Sequence, residues 1–257
     1  MKIVLLGTGN VATLLGRKFK AAGHRIVQVY GRNSAIASEL AYELESESCS
    51  YWSVVTRDAD VYLLAITDTA LYEVDRELRL QNQLVVHTAG SVSIDVLKSV
   101  SANYGVLYPL QSLRKDSGIE INIPLLIDAN NDAARRSLRK LAESISESVT
   151  DTGDEKRMRM HLAAVFVNNF TNHLFVMAEE FCKKYTLPFS QLYPLILETV
   201  HRLQYGSPAE MQTGPAYRGD NPTLNAHMEM LKNDPAIAKI YSLLSHSIID
   251  YKGLSAV

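Results

Sequence analysis

Three polar side chains of specialised chemistry lie close together in TGPAYRGDNPTLNAHM, residues 213–228: Arg218, Asp220 and His227. A guanidinium forks onto a carboxylate or phosphate, a carboxylate can hold that fork still, and an imidazole gives or takes a proton near neutral pH. Together they would bind an anionic group and serve acid–base chemistry. The bland alternative is an internal Arg218–Asp220 pair that only staples a loop. Gly214, Pro215, Gly219 and Pro222 break any regular helix here; Gly219 permits a sharp bend, and Asn221 or Thr223 can cap a helix carrying His227. A second polar set lies inside HLAAVFVNNFTNHLFVMAEEFCKKY, residues 161–185. This run is apolar nearly all round, which predicts one long helix buried in a core or against a partner. His161, Val165, Asn168 and Asn172 share a face, with Asn169 and His173 beside them. Buried amides need hydrogen-bond partners. Either these bond to neighbouring loops, or His161 and Asn169 face a cleft, with His161 or His227 as proton donor.

The element that would position a reacting molecule is at the N-terminus. KIVLLGTGNVATLLGRKF reads as a buried strand, a glycine turn and a helix, with Gly7, Gly9 and Ala12 in the pattern G-x-G-x-x-A. Gly7 permits the tight turn, Gly9 lets the backbone approach a pyrophosphate, and Ala12 lets helix pack on strand. The turn residues Thr8, Asn10 and Val11 would meet the phosphates, because free N–H groups and the helix dipole favour an anion there. Further strands are predicted at 25–30, 61–66, 83–89, 104–109 and 123–129, several of them separated by helical stretches as in βαβ units. No strand is evident beyond residue 150. The expectation is therefore an α/β protein: a Rossmann-type doubly wound parallel sheet over residues 1–150, then an all-helical domain over 151–257 for substrate binding and dimerisation.

The end of the second strand selects the dinucleotide. It reads Tyr30, Gly31, Arg32, Asn33, Ser34, with no carboxylate for a ribose 2′-hydroxyl. Arg32 can pair with a 2′-phosphate, and Asn33 and Ser34 can donate to it, so NADP is favoured over NAD. The alternative is that Arg32 is solvated and Ser34 caps the next helix. Ligands of open parallel sheets bind beyond the carboxyl ends of the strands. There stand Ile66 and Thr67 after one strand, His87, Thr88, Ala89, Gly90 and Ser91 at the next, and Gln111 and Ser112 after a third. Gly90 allows a close approach to nicotinamide or substrate; His87 is equally well explained as an interior histidine, and Asp68 as a helix cap.

The composition of the 257 residues excludes other classes. A net charge of −2 speaks against a nucleic-acid binder, and the N-terminal apolar run is too short for a membrane span or signal peptide. Two cysteines, Cys49 and Cys182, match no metal or redox spacing, so a reduced cytoplasmic setting and no metal are expected.

GTGNVA, AITD, HTAGS, YPLQSL and TGPAYRGD, in this order and spacing, resemble a bacterial family of predicted NADP oxidoreductases. That family joins a Rossmann-like N-terminal domain to a helical C-terminal domain of unknown function 2520. More distantly the layout is similar to pyrroline-5-carboxylate reductase, ketopantoate reductase and the deazaflavin-coenzyme:NADP reductases. The resemblance implies NADP binding, hydride transfer and a homodimer formed by the helical domains, and the family tends to carry a histidine and an asparagine where His161 and Asn169 stand. The function expected is NADP-dependent hydride transfer to or from a small polar carbonyl or imine, with an anionic group on the substrate. The rival is a non-catalytic NADP(H) sensor, kept open because the helix 161–185 offers no lysine or tyrosine placed for catalysis in its middle.

Overall fold

The structure is a computed structural model and describes residues 1–116 and 122–255. By contacts the chain separates into two compact units, Met1–Phe170 and Thr171–Val257. The join expected at 150/151 falls inside the first.

Among the described residues the first unit holds eight strands: β1 (Lys2–Leu6), β2 (Arg25–Tyr30), β3 (Glu47–Cys49), β4 (Val61–Leu64), β5 (Leu84–His87), β6 (Asn103–Pro109), β7 (Leu125–Ala129) and β8 (Val149–Asp151). They form one sheet in the order β3-β2-β1-β4-β5-β6-β7-β8. All neighbours are parallel except β6 and β7, which pair antiparallel. From β1 the chain goes first outward to β2, then crosses to β4 on the other side. A crevice must therefore open beyond the carboxyl ends of β1 and β4, where loops leave in opposite directions.

The strands are apolar on both faces because helices cover both. Against one face, where Ile3, Leu5, Val61, Leu63, Val86, Leu107 and Ile127 lie, pack α1 (Asn10–Ala21), α2 (Ser34–Glu43) and α5 (Asp132–Glu143), through residues such as Leu14, Leu40 and Leu138. The other face, with Val4, Tyr62, Leu64 and Val85, is covered through Leu71, Val74 and Leu97, from the short helices α3 (Asp68–Leu71) and α4 (Val74–Glu77) and the 3₁₀ turn Ile94–Leu97. Val106, Tyr108 and Leu126 form a smaller cluster. Helix α6 (Asp154–Ala164) follows β8, and a π-helical turn, Val165–Phe170, ends the unit.

The second unit is helical: α7 (Thr171–Lys184), α8 (Tyr193–His201), α9 (Pro215–Arg218), α10 (Asn221–Met230) and α11 (Pro235–Ser255). The helix expected over 161–185 is thus α6, the π turn and α7 in succession. Its burial is not found among the described residues: Leu162, Phe166, Val167 and Phe170 are exposed, and so are Asn168, Asn169, Asn172 and His173. The amides therefore reach water and need no internal partners. No helix among the described residues is long and apolar enough to cross a membrane.

Candidate active site

At the crevice beyond β1 and β4 lies a groove of about 620 Å³, within the usual range for a small-molecule site. Gly7, Thr8, Gly9, Asn10 and Val11 form its floor, Gly31 and Arg32 one rim, and Ile66 and Thr67 another. Steric limits decide the glycines. Gly7 has φ +127°, and a Cβ there would lie 2.2 Å from the Ala65 carbonyl oxygen, so only glycine lets β1 turn beside β4. A Cβ at Gly31 would meet Thr8 Cγ2 at 2.6 Å. At Gly9 a Cβ would meet nothing within 4 Å, so this backbone faces open groove.

Helix α1 begins at the same place. Gly9 is its cap residue and offers no side-chain acceptor, and no acid lies in the first turn. The first N–H groups are thus free for an anion. Arg32 is exposed and makes no ion pair among the described residues. An open glycine backbone, an uncapped helix start and a free guanidinium where a ribose carboxylate would stand fit NADP. Bound there, NADPH supplies a hydride; the chain's part is to bind and orient it and to move the proton.

Other expected cofactor residues lie elsewhere. Ala12, itself in α1, is buried against the sheet, where its small side chain lets helix pack on strand. Asn33 spends its side-chain oxygen on capping α2, accepting from the Ala35 and Ile36 amides at 3.0 and 3.2 Å. The cap weighed for Ser34 is therefore supplied by Asn33, and Ser34 is the first helical residue; neither lines the groove. Four lining residues that sequence reasoning passed over are Trp52, stacked on Tyr30 with centroids 4.2 Å apart, and Glu73, Arg76 and Glu77.

A second polar cluster stands at the carboxyl ends of β5 and β6. Tyr108 hydroxyl and His161 Nδ1 are 2.9 Å apart. Tyr108 is one residue from the end of β6, and His161 comes from α6. Gly90 lies against both: a Cβ there would meet His161 Cγ and Nδ1 at 2.8 Å and Tyr108 Cε2 at 3.0 Å. Burial pushes the Tyr108 phenol above its ordinary value, with the Arg157 guanidinium pulling the other way. Behind this pair, His87 is fully buried and accepts the Ala89 amide on Nδ1 at 3.1 Å, which places its proton on Nε2. Burial first, then Arg157, depresses His87 to about 4, so its ring is neutral. His87 is thus interior, Thr88 and Ala89 are buried beside it, and Ser91 donates to Asp68 at 2.5 Å. Asn169 sits exposed in the π turn.

In the second unit Gly214 (φ +110°) and Gly219 (φ +72°) hold backbone that favours glycine, and Arg218 between them is exposed. Asp220 is the cap of α10, accepting from the Thr223 amide at 3.2 Å and hydroxyl at 2.7 Å. That corrects the assignment of the cap to Asn221 or Thr223. No ion pair joins Asp220 to Arg218 among the described residues, so the carboxylate neither staples the loop nor holds the fork. His227 Nδ1 and the Tyr241 hydroxyl are 2.8 Å apart.

Residues 2–91 match the family described as NADP oxidoreductase, coenzyme F420-dependent, and residues 123–248 match the domain of unknown function 2520. A candidate NADP oxidoreductase from Bacteroides fragilis, solved by crystallography, is 39% identical over 97% of this chain and 98% of its own, with a TM-score of 0.91. The chain belongs to this family of NADP oxidoreductases. The family's cofactor is the one that the turn and Arg32 point to, and membership removes the sensor alternative. The fold is shared more widely. A 1-pyrroline-5-carboxylate reductase from Streptococcus pyogenes superposes with a TM-score of 0.65 at 14% identity over 97% of this chain and 98% of that one. An imine reductase from Myxococcus stipitatus, in complex with NADP⁺, superposes with a TM-score of 0.65 at 15% identity over 100% of this chain and 94% of that one. No curated protein matches the chain in sequence.

Proposed function

We propose that the protein uses NADPH to reduce a small polar carbonyl or imine, with Tyr108 giving the proton and His161 restoring it. The observation that carries this reading is the hydrogen-bonded Tyr108–His161 pair set against Gly90 at the carboxyl ends of β5 and β6. A phenol, protonated at neutral pH, donates to an oxygen or nitrogen that gains charge as hydride reaches the adjacent carbon. The imidazole beside it then passes a proton back to the phenolate.

The substrate in this reading carries an anionic group, and Arg218, exposed and without an ion pair among the described residues, is a guanidinium free to take one. The working form is a homodimer built through the helical domain. Exposed Leu195, Leu197 and Val200 on α8, with Phe166, Val167 and Phe170 of the π turn, support that assembly. Two buried free thiols, Cys49 and Cys182, support a reducing, cytoplasmic setting.

The test is turnover of NADPH, followed by its absorbance, against a panel of small anionic ketones and cyclic imines. Tyr108→Phe should slow reduction by about a hundredfold or more with NADPH affinity unchanged, as loss of a general acid does. Undiminished turnover in that variant would remove Tyr108 from the reaction.

A further inference from the structure

Asp154, Arg157 and His161 are spaced i, i+3, i+7 and so share one face of α6. That face looks onto the carboxyl ends of β5 and β6. His161 reaches Tyr108, while Arg157 donates through Nη2 to the Val92 carbonyl and, at 2.8 Å, to Asp154 Oδ1. Arg157 has 0% exposure, the largest side chain so enclosed. Among the described residues its Nε and Nη1 find no acceptor. A buried donor without a protein acceptor is costly, and a charged one more so, so stability alone would favour an apolar residue here. The surroundings show what the charge acts on. Across the sheet His87 pairs with Val106, and Val106 with Asp128, so His87, Val106 and Asp128 form one row on the face that also carries Tyr108. Asp128 is already engaged by Arg135 at 3.5 Å. His87 is neutral. Of the charges on α6, that of Arg157 bears on Tyr108, with Asp154 as its counter-ion and His161 as the hydrogen-bond partner of the phenol.

We propose that Arg157 is a positioning residue for proton transfer: its enclosed charge, one helical turn before His161, stabilises the phenolate left when Tyr108 has given up its proton. The inference rests on the assignment of Tyr108 as proton donor. During the step the phenol O–H bond breaks as a new O–H or N–H bond forms on the substrate. The negative charge stays on Tyr108 until His161 returns a proton. A fixed guanidinium in a dry site favours that transient anion far more than solvent-exposed charge would. Asp154 and the Val92 carbonyl keep the guanidinium from turning away.

The experiment places difluorotyrosine at position 108, where fluorine acidifies the phenol into a convenient range, and follows its titration by fluorine NMR. Arg157→Met should move that titration upward by about one pH unit or more, the scale expected for losing a close opposite charge, while Arg157→Lys should stay near the native value. Asp154→Asn, which leaves the guanidinium uncompensated, should move it downward, and this variant decides the matter if Arg157→Met does not fold. A purely structural role for Arg157 moves neither titration. No displacement in Arg157→Met or, should that variant not fold, none in Asp154→Asn, would overturn the proposal, even if Tyr108→Phe abolishes turnover. Displacement with full turnover in Tyr108→Phe would instead leave Arg157 in place and reject Tyr108 as donor.

Discussion

His87 illustrates what enclosure does to a single side chain. In water its ring titrates near 6.5; in the folded protein burial, helped by the Arg157 guanidinium, brings it to about 4. Below 6.5 the unfolded chain takes up a proton that the folded chain refuses, so stability is full above that value and falls as the pH drops toward 4. The total loss across this window is on the order of 3 kcal/mol. Urea unfolding at about pH 7 and about pH 5 should show it, and His87→Leu, which has nothing to titrate, should remove most of the difference; an equal pH slope in the variant would refute the assignment. The same enclosure made the residue hard to place from sequence. A histidine at a strand end reads equally as ligand or interior residue, and only the Ala89 amide on its Nδ1 and the surrounding apolar side chains decide between them. Tyr108 was harder still: an aromatic in a strand reads as core, and its partner His161 is 53 residues away. Arg157 lies in DEKRMRM, where a run of charges suggests a solvated helix face.

At the scale of elements, the β1–turn–α1 unit was legible because its constraints are local. Gly7 answers a demand of the turn's own backbone angle, and Gly9 leaves bare the backbone that would face a pyrophosphate. The two glycines make opposite predictions. Gly7→Ala forces a Cβ to 2.2 Å from the Ala65 carbonyl, at a φ that L-residues rarely adopt, and should unfold or severely destabilise the first unit. Gly9→Ala meets nothing within 4 Å and has an ordinary φ of −82°, so the melting temperature without ligand should hardly change. NADPH affinity, measured by calorimetry, should nevertheless fall about tenfold or more, since the methyl would stand where the phosphates approach. Native affinity in Gly9→Ala would mean that the phosphates lie elsewhere. Element limits also followed from sequence where the pattern is strong, as at β2, expected over 25–30 and found at Arg25–Tyr30. They were missed where a side chain chooses among caps: Asp220, not Asn221 or Thr223, closes the start of α10, because its carboxylate reaches both the amide and the hydroxyl of Thr223.

For the whole molecule, the surface is where the proposed dimer can be tested. Leu197 is 69% exposed and Val167 75%, within a set of large apolar side chains on helices of both units. A single chain would leave these in water at a cost of about 25 cal/mol per Å². Sedimentation at micromolar concentration should therefore give twice 28.6 kDa, and Leu197→Asp should shift the population toward the single chain. A native species of 28.6 kDa alone would exclude the dimer. Ligation has a signal of its own. The chain has one tryptophan, and Trp52 stands in the groove, its ring stacked on Tyr30. The indole emission of the intact protein therefore comes from one address, beside the place where a dinucleotide would lie. Energy absorbed by that ring can pass along the bound dinucleotide's length to its reduced nicotinamide and be re-emitted as longer-wavelength light, which makes the unlabelled chain an optical gauge of its own occupancy.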